Sequence, residues 1–472
     1  MSLDVLLGFT QALALTMSVA FLTYVLLIVV PYLRHRPAPV GTSTAFEWHF
    51  LVPCRDEEAV IGDTIAYLRM TFPLAHVWVV DDDSDDGTAA AVQAWLDGGD
   101  NHIHLVRRAR PHARTGKGDA LNDAYRSLKL WMGRHADPDR AIAVVVDADG
   151  RPAANCLEVC AADHLFGTPT VGAVQVDVRM LNTGVPQPDV TRWRKTFGAA
   201  LVRMQDLEFR TAIAAIQMSR GVTGTISMGG NGQFTRLSAL DSIAGPTAQP
   251  WRGSLLEDFE LGVHLLTAGW RTGFSRDTHV HQEGLYSLRR FLAQRTRWGQ
   301  GTMQCMRYLR HIWDSKHLST LGAAEMLYYL AQPWMQLLGT LVYPIPLLLL
   351  AHRAAVNPTE VWTWFTEGAW ILFTVYGAFG LLPFLIWGPV YRARCEPGVS
   401  VPRSIAYGFG YALYIYTFYI TSWRALIRLL RGNNTWTKTR RNTESGPEAA
   451  TTRTGALEPP PVHPPRLQDR LP

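Results

Sequence analysis

The chain has 472 residues, 45 Lys+Arg against 40 Asp+Glu for a net charge of +5, and 47% hydrophobic residues. This length exceeds one ordinary domain, the composition excludes a disordered polymer, and so slight a positive excess gives no ground for nucleic-acid binding. A mean hydropathy near zero hides a partition, because Asp, Glu, Lys and Arg are absent from residues 5–33, 326–351, 368–391 and 404–423 and crowd between them.

About 20 apolar residues at a rise of about 1.5 Å each suffice to cross the hydrocarbon layer, so each stretch reads as a transmembrane helix. The first is too long for a signal-peptide core, follows Asp4 rather than a lysine and lacks a small-residue cleavage site, so residues 1–36 read as an uncleaved anchor. Arg34, His35 and Arg36 follow at once. The bias of Lys and Arg toward the cytoplasm then places the next part, residues 37–302, inside the cell, in a multi-pass protein of the plasma membrane. Five cysteines are too few for a disulfide scaffold, and Cys156 and Cys160, four apart with no matching pair, read as core packing rather than half a zinc site.

Apolar runs at 48–53, 76–80, 103–106, 142–146 and 171–178 alternate with helical patterns, which predicts an α/β domain with a Rossmann-like, mostly parallel sheet covered on both faces. Ligands of such sheets bind beyond the carboxyl ends of the strands. Asp81, Asp82 and Asp83 follow the second run and Asp147 and Asp149 the fourth. Asp85, Asp86 and Gly87 read as the cap of a helix opening at Thr88. For Asp147 and Asp149, two carboxylates two residues apart repel each other unless a cation compensates, and a divalent metal shared with substrate phosphates is the economical choice. Arg114-Thr115-Gly116-Lys117-Gly118 is no P-loop, since Pro111 and Gly118 stand where Gly and Ser or Thr are required, and no G-x-G-x-x-G follows the first strand.

Leu256-Glu257-Asp258 opens a helical run, where acids suit the helix dipole whatever their function. Gln294, Arg297 and Trp298 share one face of a helix from about Ser287, a guanidinium beside an indole, as a diphosphate and a sugar ring would require. A basic and aromatic face just before a membrane segment also suits an anchor at headgroup level. Residues 303–325 read as an interfacial helix and 326–430 as transmembrane helices. Three crossings after the catalytic part would leave the C-terminus outside, yet Arg424, Arg428, Arg431, Lys438, Arg440 and Arg441 favour the inside. One stretch is therefore expected to be re-entrant, or the segment with Pro333, Pro344 and Pro346 to hide an extra turn. Residues 431–472 read as a cytoplasmic tail, disordered over its Pro-, Thr- and Glu-rich part from 443.

The series Val80-Asp81-Asp82, Asp147 to Asp149, Glu257-Asp258 and Gln294 to Trp298 resembles the motif order of the membrane-integrated family 2 glycosyltransferases. That group holds the cellulose, hyaluronan and chitin synthases, bacterial poly-N-acetylglucosamine synthases and ceramide-type glucosyltransferases. The resemblance spans roughly residues 47–302 and implies a GT-A type fold. It further implies that Asp81 and Asp82 hold the uracil and ribose of a UDP-sugar, with Pro53, Arg55 and Glu57 nearby and Lys117 and Gly118 beside the nucleotide. Asp149 with Asp147 would carry Mg²⁺ or Mn²⁺, and Asp258, beside Glu257, would be the general base. Gln294, Arg297 and Trp298 would grip the diphosphate and the acceptor sugar. Asp83 stands where the family has Gly, and Leu256 where many polymer synthases have Thr. Met228-Gly229-Gly230-Asn231-Gly232-Gln233 occupies the acceptor-site loop without a Cys, which argues against cellulose. Trp436-Thr437-Lys438-Thr439-Arg440 resembles a motif found after the last helix of related synthases.

A base removing the acceptor's proton, with metal and Arg297 stabilising the departing UDP, implies inversion to a β-linked product. Extension of a β-linked polysaccharide, with extrusion, is the reading placed slightly ahead. Transfer of one sugar to a lipid such as diacylglycerol or a polyprenyl carrier is the alternative. A non-catalytic sensor or scaffold would lack a base or metal ligand, and a transporter would want ionisable groups within its spans. Sugar, linkage, oligomeric state and partner subunits stay open.

Overall fold

The computed structural model describes residues 3–133, 137–187 and 190–433. The Trp436 to Arg440 motif and the tail from 443 lie outside them. Eight strands form one sheet: β1 (Glu47–Cys54), β2 (His76–Asp81), β3 (Ile103–Arg107), β4 (Ala141–Val145), β5 (Arg151–Pro152), β6 (Val171–Met180), β7 (Gln233–Arg236) and β8 (Arg271–Gln282). Their order is β3-β2-β1-β4-β7-β6-β8-β5. The half β3-β2-β1-β4 is parallel, and successive residues serve opposite faces. Phe50, Val52, Val77, Val79 and Val144 pack against the core that holds Ile61, Val92, Cys156 and Cys160. Leu51, Trp78, Val80 and Val145 pack against Leu121, Leu128 and Leu261 on the other side. Burial on both faces is why these strands are unbroken apolar runs.

Three strands escape the sequence pattern, the two-residue β5 and the longer β7 and β8. β7 inserts antiparallel between β4 and β6, and β8 pairs in parallel with β6 through two irregularities in register. β7 is four residues long, and its fully buried Gln233 and Thr235 are held by hydrogen bonds rather than by apolar packing. β8 is one continuous strand, but its apolar run is broken in sequence by the polar Ser275, Arg276 and Asp277. The sheet is therefore mixed, with parallel pairing dominant.

Two amphipathic segments lie between this sheet and the apolar helices. One runs through Arg192–Leu207, a π-helical turn Glu208–Ile213, and Ala214–Thr223; the other is Leu288–Cys305. Residues 303–325 do not form the expected single helix: Leu288–Cys305 ends there, a one-turn helix Leu309–Trp313 follows, and a new helix begins at Thr320.

Among the described residues two helices are long and apolar enough to cross a membrane, Gly8–Arg34 and Thr320–Val356. Pro344 and Pro346 do not open an extra turn, because Tyr343 keeps helical angles (φ −71°, ψ −38°) and the chain runs straight on. The break comes at Asn357 and again at Gly368, whose φ of 123° only glycine adopts easily. The helix Trp370–Leu385 then packs along the N-terminal helix and returns to the sheet side, where the Tyr391 hydroxyl bonds Asp206 at 2.5 Å and Arg210 pairs with Glu396 at 2.9 Å.

The fourth uncharged stretch packs both on the catalytic body and on the apolar helices, with Ser422 bonding Gln336 and Trp423 bonding Thr340. It lies in the helix Val401–Leu430, which touches that body along its length: Tyr414 at Glu208, Phe418 at Phe291, Gly299 against Ala425, and Arg428 at Gln300. Its outer face is an apolar stripe, with Ile405, Phe409, Leu413, Tyr416, Ile420, Trp423, Ile427 and Leu430 exposed at spacings of three and four.

Candidate active site

The carboxyl ends of β1, β2 and β4 meet at one crevice. Asp82 is buried, and one of its oxygens accepts both from the Arg108 guanidinium and, at 2.9 Å, from the Arg114 amide. Arg108 also binds Asp123 at 2.6 Å. Asp82 therefore holds the segment after β3 in place, whatever else it binds, and buried Arg108 is a residue that the sequence reading passed over. Asp81 accepts from the Ser84 amide at 3.2 Å, closing a turn in which Asp83 takes φ +59°. That left-handed value explains why glycine is the commoner residue there, and Arg110, 2.7 Å from the Asp83 carboxylate, helps to hold the substitute. Asp86 accepts from the amides of Thr88 and Glu58, so it is the turn and cap expected of it.

Lys117 stands at the start of the helix Lys117–Met132, and its ammonium meets Asp147 Oδ1 and the Gly230 carbonyl, each at 2.6 Å. Burial alone would lower its pKa, but Asp147, Glu257 and Asp258 outweigh this and raise it. Gly118 is a packing position: a Cβ there would lie 3.2 Å from the Arg252 carbonyl and 3.3 Å from the Glu257 side chain. The repulsion between Asp147 and Asp149 that pointed to a divalent ion is thus relieved in part by Lys117. Asp149 turns the other way, 8% exposed, and accepts from the Glu283 amide at 2.9 Å. Among the described residues no three His, Cys, Asp or Glu side chains converge on a metal position. A pair of carboxylates at a strand end fits Mg²⁺ or Mn²⁺ only as a shared site, with substrate phosphates and water completing the shell.

Glu257 and Asp258 open the helix Glu257–Thr267. Burial and the adjacent Asp258 carboxylate push Glu257 up to about 7, against the pull of Lys117 and Arg297. Burial likewise raises Asp258. A Cβ on Gly230 would sit 3.2 Å from Asp258 Oδ2, so the loop before β7 has to be bare here. Burial lowers the Arg297 pKa while Glu257, Asp147 and Asp258 raise it, a sign that the guanidinium faces all three. Arg295, inside the same motif, also went unremarked in the sequence. It is buried, pairs with Glu208 at 2.5 Å, and lies with its guanidinium carbon 4.2 Å from the Trp298 ring centre.

One cavity of about 1100 Å³ joins these groups. Pro53, Arg55, Glu57, Asp82, Lys117, Asp147, Glu257, Asp258, Gln294, Arg297 and Trp298 line it, whereas Asp81, Gly118 and Asp149 do not. The cavity continues between the apolar helices, past Phe21, Tyr24, Tyr328, Gln332, Phe384 and Tyr419.

The family described as "Glycosyltransferase like family 2" matches residues 48–301. Two curated relatives are beta-monoglucosyldiacylglycerol synthases: one from Synechocystis sp., 31% identical over 55% of this chain and 48% of that protein, and one from Nostoc sp., 30% identical over 68% and 62%. The chain thus spans about half to three fifths of the length of these relatives. Among solved structures, a mannosyltransferase from Pyrobaculum calidifontis, in complex with GDP-mannose and Mn²⁺, covers 91% of this chain and 99% of its own at 19% identity and a TM-score of 0.53. That likeness establishes the GT-A-like α/β fold with its mixed, curled sheet. A cellulose- or chitin-synthase identity finds no counterpart in these relatives. With more than half of its length matched, the chain belongs to the glycosyltransferase like family 2.

Proposed function

We propose that the protein transfers a sugar, with inversion, from a UDP-sugar to the hydroxyl of a membrane lipid. The observation that carries this reading is the single cavity that runs from Lys117, Asp147 and Asp258 into uncharged space between the apolar helices. The curated relatives, named for glucosylating diacylglycerol, move the weight from the polysaccharide extension placed first by the motifs to this lipid acceptor.

In this mechanism the acceptor oxygen attacks the anomeric carbon as the bond from that carbon to the diphosphate breaks. Asp258 takes the hydroxyl proton and UDP leaves with the bonding pair. A base on the face opposite the leaving group inverts the centre, from an α-linked donor to a β-linked product. Arg297 and Lys117 face the diphosphate, with Gln294 and Trp298 beside it, and offset the charge that grows there. Glu257 tunes the pair electrostatically. Asp147 and Asp149 are the residues that would hold Mg²⁺ or Mn²⁺, which as a Lewis acid offsets diphosphate charge.

The path of the chain supports one membrane placement. The N-terminal helix, Thr320–Val356 and Trp370–Leu385 cross, while Val401–Leu430 rests on the cytoplasmic body at the membrane surface. Purified protein with Mg²⁺ or Mn²⁺, radiolabelled UDP-sugars and GDP-mannose, with and without lipid extract, tests the reading. Label in a small product that partitions into organic solvent supports it. Label in a large water-phase product formed without lipid would establish a polymer synthase instead, and no nucleotide release under any condition would leave the sensor.

A further inference from the structure

At the waist of the cavity, between Asp258 and the apolar helices, stands a buried ion pair with no part in the mechanism above. Arg220, 4% exposed, lies near the end of the helix Ala214–Thr223 and lines the cavity. Its Nε meets Glu325 Oε1, from the span that begins at Thr320, at 2.7 Å, and its Nη1 donates to Ser227 Oγ at 2.6 Å. The other Glu325 oxygen accepts from the Thr225 hydroxyl at 2.8 Å. Tyr329 covers the guanidinium with its ring centre 4.4 Å from the central carbon, and the same ring lies 4.8 Å from that of Phe259, the residue after Asp258. Tyr329 thus touches both Arg220 and the residue that follows the proposed base.

An arginine aimed into a buried cavity receives phosphate well, because its planar fork matches two phosphate oxygens. Here Glu325 occupies the fork and cancels the charge. Beyond the pair, the described lining residues contributed by residues 17–28 and 328–419 are all uncharged, their polar members being hydroxyls and amides such as Ser18, Tyr24, Tyr328, Gln332, Gln336 and Thr340. A lipid whose attacking oxygen belongs to a phosphate would carry its charge past this closed pair toward Glu257 and Asp258, with Lys117 and Arg297 already taken up by the donor's diphosphate, at a large desolvation cost. A hydroxyl on an uncharged lipid meets no such barrier.

The geometry points to the Arg220–Glu325 pair as the element that confines the acceptor to uncharged hydroxyl lipids and excludes lipid phosphates. The inference rests on the glycolipid reading and adds the charge class of its acceptor. The full chain in phosphatidylcholine vesicles is given its active UDP-sugar with dioleoylglycerol, undecaprenyl phosphate, or both at equal mole fraction. Wild type labels dioleoylglycerol, and undecaprenyl phosphate changes that rate by less than about twofold, whereas in Glu325→Gln the freed guanidinium makes inhibition or use of undecaprenyl phosphate roughly tenfold stronger. Arg220→Gln with Glu325→Gln restores insensitivity. Labelling of undecaprenyl phosphate by wild type as fast as of dioleoylglycerol overturns the inference alone, as does a Glu325→Gln protein that unfolds at the wild-type temperature yet ignores the phosphate lipid. If Glu325→Gln does not fold, the wild-type competition decides by itself. Label only in a large water-soluble product overturns the glycolipid reading and this inference with it.

Discussion

Around Lys117 the cavity wall carries Arg55, Glu57, Asp82, Asp147, Glu257, Asp258 and Arg297, whereas the wall contributed by the apolar helices carries hydroxyls, amides and hydrocarbon. The first wall suits a ligand of high charge that must be gripped and then released as a better-stabilised anion. The second suits one that brings no charge and is already dissolved in hydrocarbon. Substitutions on the two walls should therefore fail in different ways, the first in chemistry and nucleotide binding, the second in acceptor use alone.

The largest effect is expected from Asp258→Asn, which should slow transfer by about 10³-fold or more through loss of the base. UDP binding by calorimetry should persist, and loss of both together would make Asp258 a structural support. Next comes Asp149→Ala, for which metal-dependent UDP binding should weaken by about 10- to 100-fold. Unchanged metal dependence would remove Asp149 from the ligand set, leaving its bond to the Glu283 amide as its role. Glu257→Gln should separate stability from activity. A carboxyl whose folded pKa of about 7 lies above its ordinary value contributes stability at low pH that is lost as pH rises through about 7. At pH 8 the glutamine should raise unfolding stability by up to about 3 kcal/mol, read by thermal or denaturant melts, while transfer falls. An unchanged melt would mean that Lys117 and Arg297 already offset the charge. The smallest effect belongs to the second wall: Tyr328→Phe should change the KM for lipid by about threefold or less and leave UDP binding alone, as the loss of one neutral hydrogen bond allows. A change in UDP affinity there would break the division between the walls.

The parallel half of the sheet was legible because burial on two faces demands unbroken apolar runs, and Phe50 to Val52 and Ile142 to Val146 announce themselves. β7 was not, because Gln233 and Thr235 are held in the sheet by partners distant in sequence. The pattern of Gln294, Arg297 and Trp298 on one face was readable from helical spacing, and all three line the cavity. Arg295 sits among them but owes its position to Glu208 and Tyr414, 87 and 119 residues away, which no local spacing reveals. Asp82 showed as an acid at a strand end, not as the anchor of Arg108. For the apolar stretches, composition reports only that a helix avoids charge. Whether it crosses, as Thr320–Val356 can, or lies on the body, as Val401–Leu430 does, depends on what its small and polar residues touch.

The contact of Val401–Leu430 with the body at turn after turn has a kinetic consequence. On the placement proposed above, this helix, about 45 Å long, would fix the height and tilt of the Asp258 carboxylate relative to the lipid plane. A site so held would not reach out for an acceptor in the water, and every acceptor would arrive by lateral diffusion through the bilayer. Turnover would follow the mole fraction of acceptor among the surrounding lipids rather than its bulk concentration, so that adding inert phospholipid to vesicles at constant total acceptor would slow the reaction without changing a single contact in the site.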